Sequence, residues 1–241
     1  MGKNIISQRR GRGTSTYRSP SHRFIARISY PKYDQKQRDG VLAAQVRDIF
    51  HDPGHSAPIA QIEYENGQKD YIFAYNGMHT NKVIFFGSQA KPETGNIMPL
   101  KNIPVGTTVF NIEKSPGDGG KFIRAAGSFA TVAAKTESKV TILFPSKKQK
   151  DFDPQSRATI GVLASSGRKD KPFVKAGKRH HAMRARGKLY PLTSGVAMNA
   201  VDHPFGSGRG RHIGKPKNAP RFAPPGRNVG SIRARRMGKK R

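Results

Sequence analysis

The chain has 241 residues, a formal net charge of +30 and only 34% hydrophobic residues, so it cannot bury a core along its whole length. It has no cysteine, which excludes disulfides and cysteine-ligated zinc or redox sites. No apolar run approaches the roughly 20 residues that span a bilayer, and the first residues lack the apolar segment of a secretory signal. These features predict a cytoplasmic protein with no membrane partner.

The positive charge is concentrated at the two ends. Residues 1–33 carry +8 and residues 171–241 carry +18, whereas residues 34–170 carry only +4. A nearly balanced segment can fold alone, whereas the ends repel themselves. The charge pattern therefore predicts a folded middle between a basic N-terminal extension, 1–33, and a basic C-terminal extension, 177–241.

Short strands dominate the middle. Apolar and polar residues alternate on both sides of Asn66 and Gly67, which predicts a hairpin with a two-residue loop and pairs Ile62 with Tyr71. Many short strands without an apolar helical stripe indicate an all-β fold of small barrels or sandwiches. The strand candidates in chain order are Val41–Phe50, Ala60–Tyr64, Lys69–Phe73, Lys82–Phe86, Thr107–Glu113, Ser128–Ala134, Val140–Phe144 and Thr159–Ala164.

Two prolines in the segment 96–104 predict a seam that breaks strand pairing. The halves on either side, 34–100 and 101–176, each have the size of a five-stranded barrel. The strand pattern alone does not distinguish an OB barrel from an SH3-like barrel. From Gly177 onward we expect an extended tail with a short helical turn at His180–Ala185.

A glycine-rich segment, 115–122, has the composition of a phosphate-binding loop but not its spacing. Ser115 stands where that motif needs glycine, and Phe122 replaces the hydroxyl residue that holds magnesium. We therefore interpret the segment as a β-loop, from which Lys121 and Arg124 contact phosphate.

Two histidine pairs have alternative interpretations. His51 and His55 have the spacing of helical metal ligands, but the proline and glycine between them predict a loop without metal. His180 and His181 lie in a basic run, where neutral imidazoles stack on nucleic acid or hydrogen-bond to it more readily than they bind zinc. No metal site and no cofactor are predicted.

Asp202, His203 and Ser207 have the residue types of a hydrolase triad. An adjacent aspartate and histidine cannot easily orient each other as acid and base, and no nucleophile elbow is present. The sequence therefore predicts no catalytic residue and no enzymatic activity.

The segment 195–216 has five glycines, no periodicity and many basic residues. We expect it to bury nothing in a core of its own and to become ordered only on a polyanion. Arginine beside glycine lets the backbone lie against phosphates while the guanidinium binds them, and without a groove-reading helix the partner is RNA. The predicted contacts of the ends are Arg9, Arg10, Arg12, Lys178, Arg179, His180, His181, Arg184, Arg186, His203, Arg209, Arg211, His212 and Lys215.

Four runs, 95–113, 116–127, 157–161 and most specifically 195–216, resemble the universal L-two family of large-subunit ribosomal proteins. The resemblance covers nearly the whole chain. It implies an OB-like barrel over 34–100, followed by an SH3-like barrel over 101–176, with both extensions embedded in large-subunit rRNA.

By this resemblance the protein is a structural, rRNA-binding component of the large subunit near the peptidyl transferase region. It would support subunit assembly, subunit association and tRNA placement. Its expected partners are rRNA, neighbouring ribosomal proteins and, on association, the small subunit, with no homo-oligomer. The alternative from the residues alone is a free-standing RNA chaperone or general polyanion-binding protein.

The resemblance also assigns individual positions. Arg124 matches an RNA-binding arginine of the family, and His55 stands where a second one is usual, so that contact is predicted to be weaker. His203 matches a histidine whose function in the family is debated. Phe205 and the run 212–216 are similar to archaeal or eukaryotic members, and the short length favours an archaeal-like one.

Overall fold

The computed structural model of the protein describes residues 2–232, and its contacts divide the chain into two units. The larger unit is residues 21–172. The smaller unit joins the two ends of the chain, residues 1–20 and 173–241, of which 2–20 and 173–232 are described. The last nine residues of the predicted C-terminal extension, 233–241, lie outside the described residues.

The larger unit is built almost entirely from strands. It holds one short α-helix, α2 (Gln35–Asp39), and 3₁₀ turns at Ser21–Arg23, Leu100–Asn102 and Ser166–Arg168. The strands are β1 (Val41–Phe50), β2 (Ile59–Tyr64), β3 (Lys69–Phe73), β4 (Val83–Gly87), β5 (Ile97–Pro99), β6 (Thr108–Phe110), β7 (Ala130–Lys135), β8 (Val140–Leu143), β9 (Gln149–Phe152) and β10 (Arg157–Ile160).

The ten strands form one hydrogen-bonded sheet in the order β3-β2-β1-β4-β5-β10-β6-β7-β8-β9. All neighbours are antiparallel except β4 and β5, which pair in parallel at Phe86 and Ile97. Each of the eight predicted strand runs overlaps one of these strands, although the bounds differ by a few residues. The sequence missed β5 and β9. β9 reads Gln-Lys-Asp-Phe and buries only Phe152, so it has no apolar alternation to detect.

Two apolar cores lie on this sheet. The first gathers eighteen buried residues, mainly from β1 to β4, and the second gathers thirteen, mainly from β6 to β10. Ile97 belongs to the first core and Met98 to the second, so the division falls inside β5. Ile28 and Tyr30 are buried in the first core, although the charge count alone groups them with the N-terminal extension. The predicted limits of the two halves stay a prediction.

The predicted seam at residues 96–104 is wrong as a break in pairing. Strand β5 lies within it, and Pro99 is the Cα partner of Arg157 in the β5–β10 ladder. Proline removes only its own N–H donor, so it is tolerated at the end of a three-residue strand. The prolines therefore mark where β5 ends and a 3₁₀ turn begins.

The predicted register of the first hairpin is also wrong by one residue. Ile62 pairs with Asp70, and Tyr71 pairs with Gln61. The loop has three residues, because Tyr64 and Gln68 still bond across it at 3.0 Å. Gly67 has φ of +77°, as expected for a three-residue loop that ends in a left-handed glycine.

The smaller unit has little regular structure. It contains α1 (Ile6–Gly11), α3 (Ala176–Ala185) and 3₁₀ turns at Ser15–Tyr17 and Gly195–Ala197. The helical turn predicted from His180 is the second half of α3. The N-terminal and C-terminal segments meet where Lys3 donates its backbone N–H to the Val201 carbonyl at 2.8 Å.

Candidate nucleic-acid interface

The seventeen predicted contact residues fall into two groups by exposure. His55, Arg124 and His203 are half-buried, and each is held by contacts within the protein. The other fourteen are exposed, which makes them available to a partner. They are Arg9, Arg10, Arg12, Lys121, Lys178, Arg179, His180, His181, Arg184, Arg186, Arg209, Arg211, His212 and Lys215.

The arginines of the N-terminal segment lie on and just after α1. The helix begins after Ile5, whose backbone N–H donates to the Gln8 side chain at 3.0 Å. Arg9 and Arg10 occupy its last turn, where positive charge is favourable to the helix dipole. Ile5 is buried in a small apolar cluster, so α1 is attached to the unit while its arginines face outward.

Helix α3 presents basic residues on all sides. None of its ten residues, all of them described, is buried. A helix that is polar all round has no face that packs on a core. Lys178, Arg179 and Arg184 therefore form part of an exposed basic surface, on which Arg179 stacks over the Tyr190 ring at 5.3 Å.

The glycine-rich segment was expected to bury nothing of its own, and this is wrong at one residue. Phe205 is 7% exposed and packs with Ile5 and Val229 in the cluster that holds the smaller unit. Pattern analysis missed it because a single aromatic residue among glycines shows no periodicity. The chain turns around it through a bond from Gly206 N–H to the His203 carbonyl at 2.9 Å.

The His203 ring is fixed by its immediate neighbours. Its Nδ1 accepts the backbone N–H of Phe205 at 3.0 Å, and the two rings lie 5.3 Å apart. Gly195 lies directly against the imidazole, so that any side chain at that position would overlap the ring. Partial burial lowers the pKa of His203, which favours the neutral form.

This geometry determines which ring nitrogen carries the proton. Nδ1 accepts a hydrogen bond, so in the neutral ring Nε2 carries the hydrogen and is a donor. The one lone pair that could accept a proton is already used by Phe205. His203 is therefore arranged to donate a hydrogen bond outward, and it is poorly arranged to act as a base.

In the larger unit, Phe73 brings two predicted contact residues together. The Arg124 guanidinium lies over the Phe73 ring at 5.0 Å, and the His55 ring meets the same ring edge-on at 5.4 Å. Arg124 also donates to the carbonyls of Ile28 at 2.9 Å and Gly120 at 3.1 Å. Burial lowers the pKa of Arg124. Two of its five N–H groups are thus used within the fold.

His55 is fixed by a buried carboxylate. Its Nδ1 hydrogen-bonds to Asp52, which is fully buried and also accepts the Ile25 N–H at 2.9 Å. This internal role agrees with the expectation of a weaker RNA contact at this position, although the contact itself stays a prediction. His51, the other member of the pair, is exposed.

The glycine-rich loop of the larger unit has no free amides for an anion. Glu113 accepts the N–H groups of Gly117 and Gly119 at 3.2 and 3.0 Å, and Asp118 accepts that of Gly120 at 3.0 Å. The protein's own carboxylates thus occupy the positions that a phosphate would need. Lys121 follows the loop and is exposed.

A buried ion pair supports this loop by fixing Glu113, which accepts the loop amides. The sequence did not predict this pair. Arg157 is 1% exposed and donates to both carboxylate oxygens of Glu113, at 2.7 and 3.2 Å. It also donates to Gln37 of α2 at 2.7 Å and stacks on the Tyr30 ring at 5.3 Å. Burial raises the pKa of Tyr30, whose hydroxyl lies 2.6 Å from Thr159. One side chain thus joins α2, β10 and the glycine-rich loop.

Among residues 2–232, no three histidine, aspartate or glutamate side chains converge as they would around a metal ion. In the same part of the chain, no helix has the length and hydropathy that crossing a membrane requires.

Comparison with known proteins accounts for both halves of the chain. Residues 2–86 match the family model described as Ribosomal Proteins L2, RNA binding N-terminal domain, and residues 93–223 match Ribosomal Proteins L2, C-terminal domain. The chain is 51% identical to the large ribosomal subunit protein uL2 of Methanothermobacter thermautotrophicus, and 52% identical to those of Methanosphaera stadtmanae and Archaeoglobus fulgidus. Each comparison covers 100% of both chains.

These matches confirm the resemblance to archaeal members and the all-β class, with an OB-like barrel followed by an SH3-like barrel. The roles of individual contact residues stay predictions. With family models covering both halves and relatives about half identical over its full length, the chain belongs to the ribosomal protein L2 family.

Proposed function

We propose that this chain is a structural, rRNA-binding constituent of the large ribosomal subunit. The observation that carries the proposal is the charge of the smaller unit. Its described residues include seventeen lysines and arginines and one acid, Asp202, around a cluster of three buried side chains. Such a surface is the electrostatic footprint of a nucleic-acid partner, and neutralising phosphates releases counterions and drives binding.

The two units would divide the work. In the larger unit, the amides of the glycine-rich loop and the Arg124 guanidinium already have hydrogen-bond partners inside the protein. This unit therefore acts as a preformed surface that offers a few exposed residues such as Lys121. The smaller unit offers arginines beside glycines, which allow the backbone to approach RNA closely. Contacts of this kind go mostly to phosphate and position the protein, whereas sequence is read at exposed base edges.

His203 would anchor the chain on RNA. Among residues 2–232 no acceptor binds its Nε2–H, while its Nδ1 accepts the backbone N–H of Phe205. A donor fixed in direction suits a phosphate or carbonyl acceptor, and it does not suit proton abstraction. We therefore assign no catalytic role to the protein and place it in the ribosome of the cytoplasm.

Near the peptidyl transferase region, such an anchored chain would support subunit assembly and tRNA placement. It would also support subunit association, in which the small subunit becomes a partner. Neighbouring ribosomal proteins would be further partners. No cofactor and no second copy of the chain are needed for these roles.

Sedimentation of large subunits through high salt tests the proposal. We expect the wild-type chain to remain with the subunit, and crosslinking in cell extract to attach it to large-subunit rRNA. A free-standing RNA chaperone would wash off and crosslink to RNAs of many kinds, which would overturn the proposal.

A matched pair of triple variants shows where the binding energy lies. Replacing Arg9, Arg10 and Arg12 with glutamine should lower the fraction retained at high salt. Replacing Lys147, Lys148 and Lys169, which are exposed in the larger unit, removes the same charge and should change retention less.

A further inference from the structure

The smaller unit contains a cavity whose lining includes apolar and acidic residues as well as basic ones. The cavity has a volume of about 420 Å³, within the range of small-molecule sites. Its lining includes the apolar residues Ile6, Leu189 and Met198 and the polar residues Asn4 and Asn199. Arg9 stands at the cavity and is exposed. Apolar walls, hydrogen-bonding groups and a nearby arginine together suit a single nucleotide.

The cavity also contains the one acid of the terminal segments. Asp202 lines it and its side chain is 35% exposed. Its nearest cationic partner is Lys3 at 3.5 Å, whose side chain is 64% exposed. Within residues 2–232, no group donates a hydrogen bond to the Asp202 carboxylate at shorter range. An exposed ion pair of this length contributes little to stability, so pairing with Lys3 does not explain why an aspartate stands at position 202.

A carboxylate in this position opposes binding to a polyanion, unless it meets hydrogen-bond donors on the partner. An ionised carboxylate only accepts hydrogen bonds, through two oxygens. The phosphates and ribose ring oxygens of RNA are acceptors. The donors that could meet the carboxylate are the ribose 2′-hydroxyl and the N–H groups of base edges, and only base edges offer two adjacent donors. A carboxylate with two acceptor oxygens is therefore matched more fully by a base edge than by the single hydroxyl of a ribose.

The four bases differ in how they meet such a group. Guanine presents two adjacent donors, N1–H and the N2 amino group, which match both oxygens of a carboxylate. Adenine and cytosine each place one amino donor beside an acceptor nitrogen, and uracil places its single N–H between two carbonyls. Paired charge-assisted hydrogen bonds are the strong ones, so guanine is favoured.

We propose that this cavity binds an unpaired guanine of the RNA, with Asp202 accepting from N1–H and the N2 amino group. Ile6, Leu189 and Met198 cover the face of the base, and Arg9 meets the phosphate of the same nucleotide. The inference deepens the proposed function and rests on it, because the smaller unit must be on RNA for the base to enter.

Selection from a random pool of ten-nucleotide single-stranded RNAs on the full-length chain tests this inference. We expect the bound pool to be enriched in guanine. For a selected RNA, replacing that guanine with inosine removes only the N2 amino group and should weaken binding about tenfold. Replacement with adenine should weaken it at least as much.

The variant Asp202→Asn provides the decisive comparison. It should bind the guanine and inosine RNAs with nearly equal affinity, while the slope of affinity against salt stays close to wild type. Asp170→Asn makes the same charge change at an exposed acid of the larger unit and should keep the tenfold discrimination. If Asp202 had only a structural role, Asp202→Asn would lower the affinity for both RNAs by the same factor.

Three results would overturn the inference: a pool without guanine enrichment, enrichment in cytosine instead, or discrimination against inosine that survives in Asp202→Asn. If any of these appears while the wild-type chain still sediments with large subunits at high salt, this inference alone fails. If the chain washes off the subunits, the proposed function fails first.

Discussion

Different interactions stabilise the larger unit and the smaller unit. The larger unit has two apolar cores of eighteen and thirteen residues, and its twenty-two basic residues are offset by fourteen acids. The described part of the smaller unit buries three apolar residues, and the whole of that unit sets twenty-three basic residues against Asp202. Burial of apolar side chains thus stabilises the larger unit, whereas repulsion among basic residues opposes the folding of the smaller unit.

This difference shows where the order of each unit comes from. Ordering a residue costs roughly 1–2 kcal/mol of backbone entropy, and burying one large apolar side chain contributes about 1.5–3 kcal/mol. A cluster of three such residues cannot order about eighty. We therefore expect the smaller unit to need the phosphates of its partner, and the larger unit to fold without them.

The largest effect should come from the buried ion pair of the larger unit. Arg157→Met leaves Glu113 charged, buried and without its cation, so the free energy of unfolding should fall by about 3–5 kcal/mol. Denaturant unfolding measures this loss. The control Lys139→Met removes an exposed ion pair with Asp151 and should leave the midpoint unchanged. Equal midpoints for the two variants would contradict the role assigned to Arg157.

Arg124→Ala should affect both folding and binding. Two backbone carbonyls lose their donors, so the free energy of unfolding should fall by about 1–3 kcal/mol. If Arg124 also contacts a phosphate, the slope of rRNA affinity against salt should fall by about one unit. The exposed neighbour Lys121→Ala should lower the slope without lowering stability. An unchanged slope and affinity for Arg124→Ala would limit that residue to a role inside the fold.

Gly195→Ala changes the contacts of His203 in the smaller unit. The added methyl group overlaps the His203 ring, so the ring must shift from the position in which it accepts the Phe205 N–H. Displacing the ring should cost about 1 kcal/mol, seen as an approximately fivefold loss of affinity for large-subunit rRNA. Gly210→Ala is the matched control, because the nearest atom to its added methyl is His212 Cδ2 at 3.4 Å. Equal affinities of the two variants would show that the His203 arrangement does not matter.

The smallest effect is expected for His203→Gln. Glutamine keeps a donor and an acceptor but cannot act as a base near neutral pH, so assembled subunits should show near-normal single-turnover peptide transfer. His203→Ala should instead show defects in assembly or tRNA binding. A general base typically contributes about 10²–10⁴-fold. A hundredfold loss in His203→Gln, with normal tRNA occupancy, would contradict the anchor.

The sequence predicted the strands better than it predicted the connections between them. Alternating residues such as Val140 and Ile142 locate β8, because side chains on one face of a sheet repeat every two residues. The hairpin register failed because Asn66 and Gly67 fit a two-residue loop and a three-residue loop almost equally well. A composition rule does not determine which residue takes the left-handed conformation.

The candidate site was predicted unevenly for a similar reason. Exposed arginines such as Arg9 and Arg209 are visible as charge. The pair of Glu113 and Arg157 is separated by 44 residues and becomes recognisable only in the fold. The same holds for Phe205, whose partners Ile5 and Val229 come from opposite ends of the chain. Long-range contacts of this kind leave no local pattern.

Amide hydrogen exchange on the full-length chain, with and without the large-subunit rRNA fragment, shows whether the smaller unit is ordered before it binds RNA. Without RNA, amides of the larger unit such as those of Val132 and Ile142 should be protected. Those of Ile5, Phe205 and Val229 should exchange almost as fast as in an unfolded chain, and they should become protected when the RNA is added. Protected amides at these three positions in the free protein would contradict the account, because the smaller unit would then be ordered without its partner.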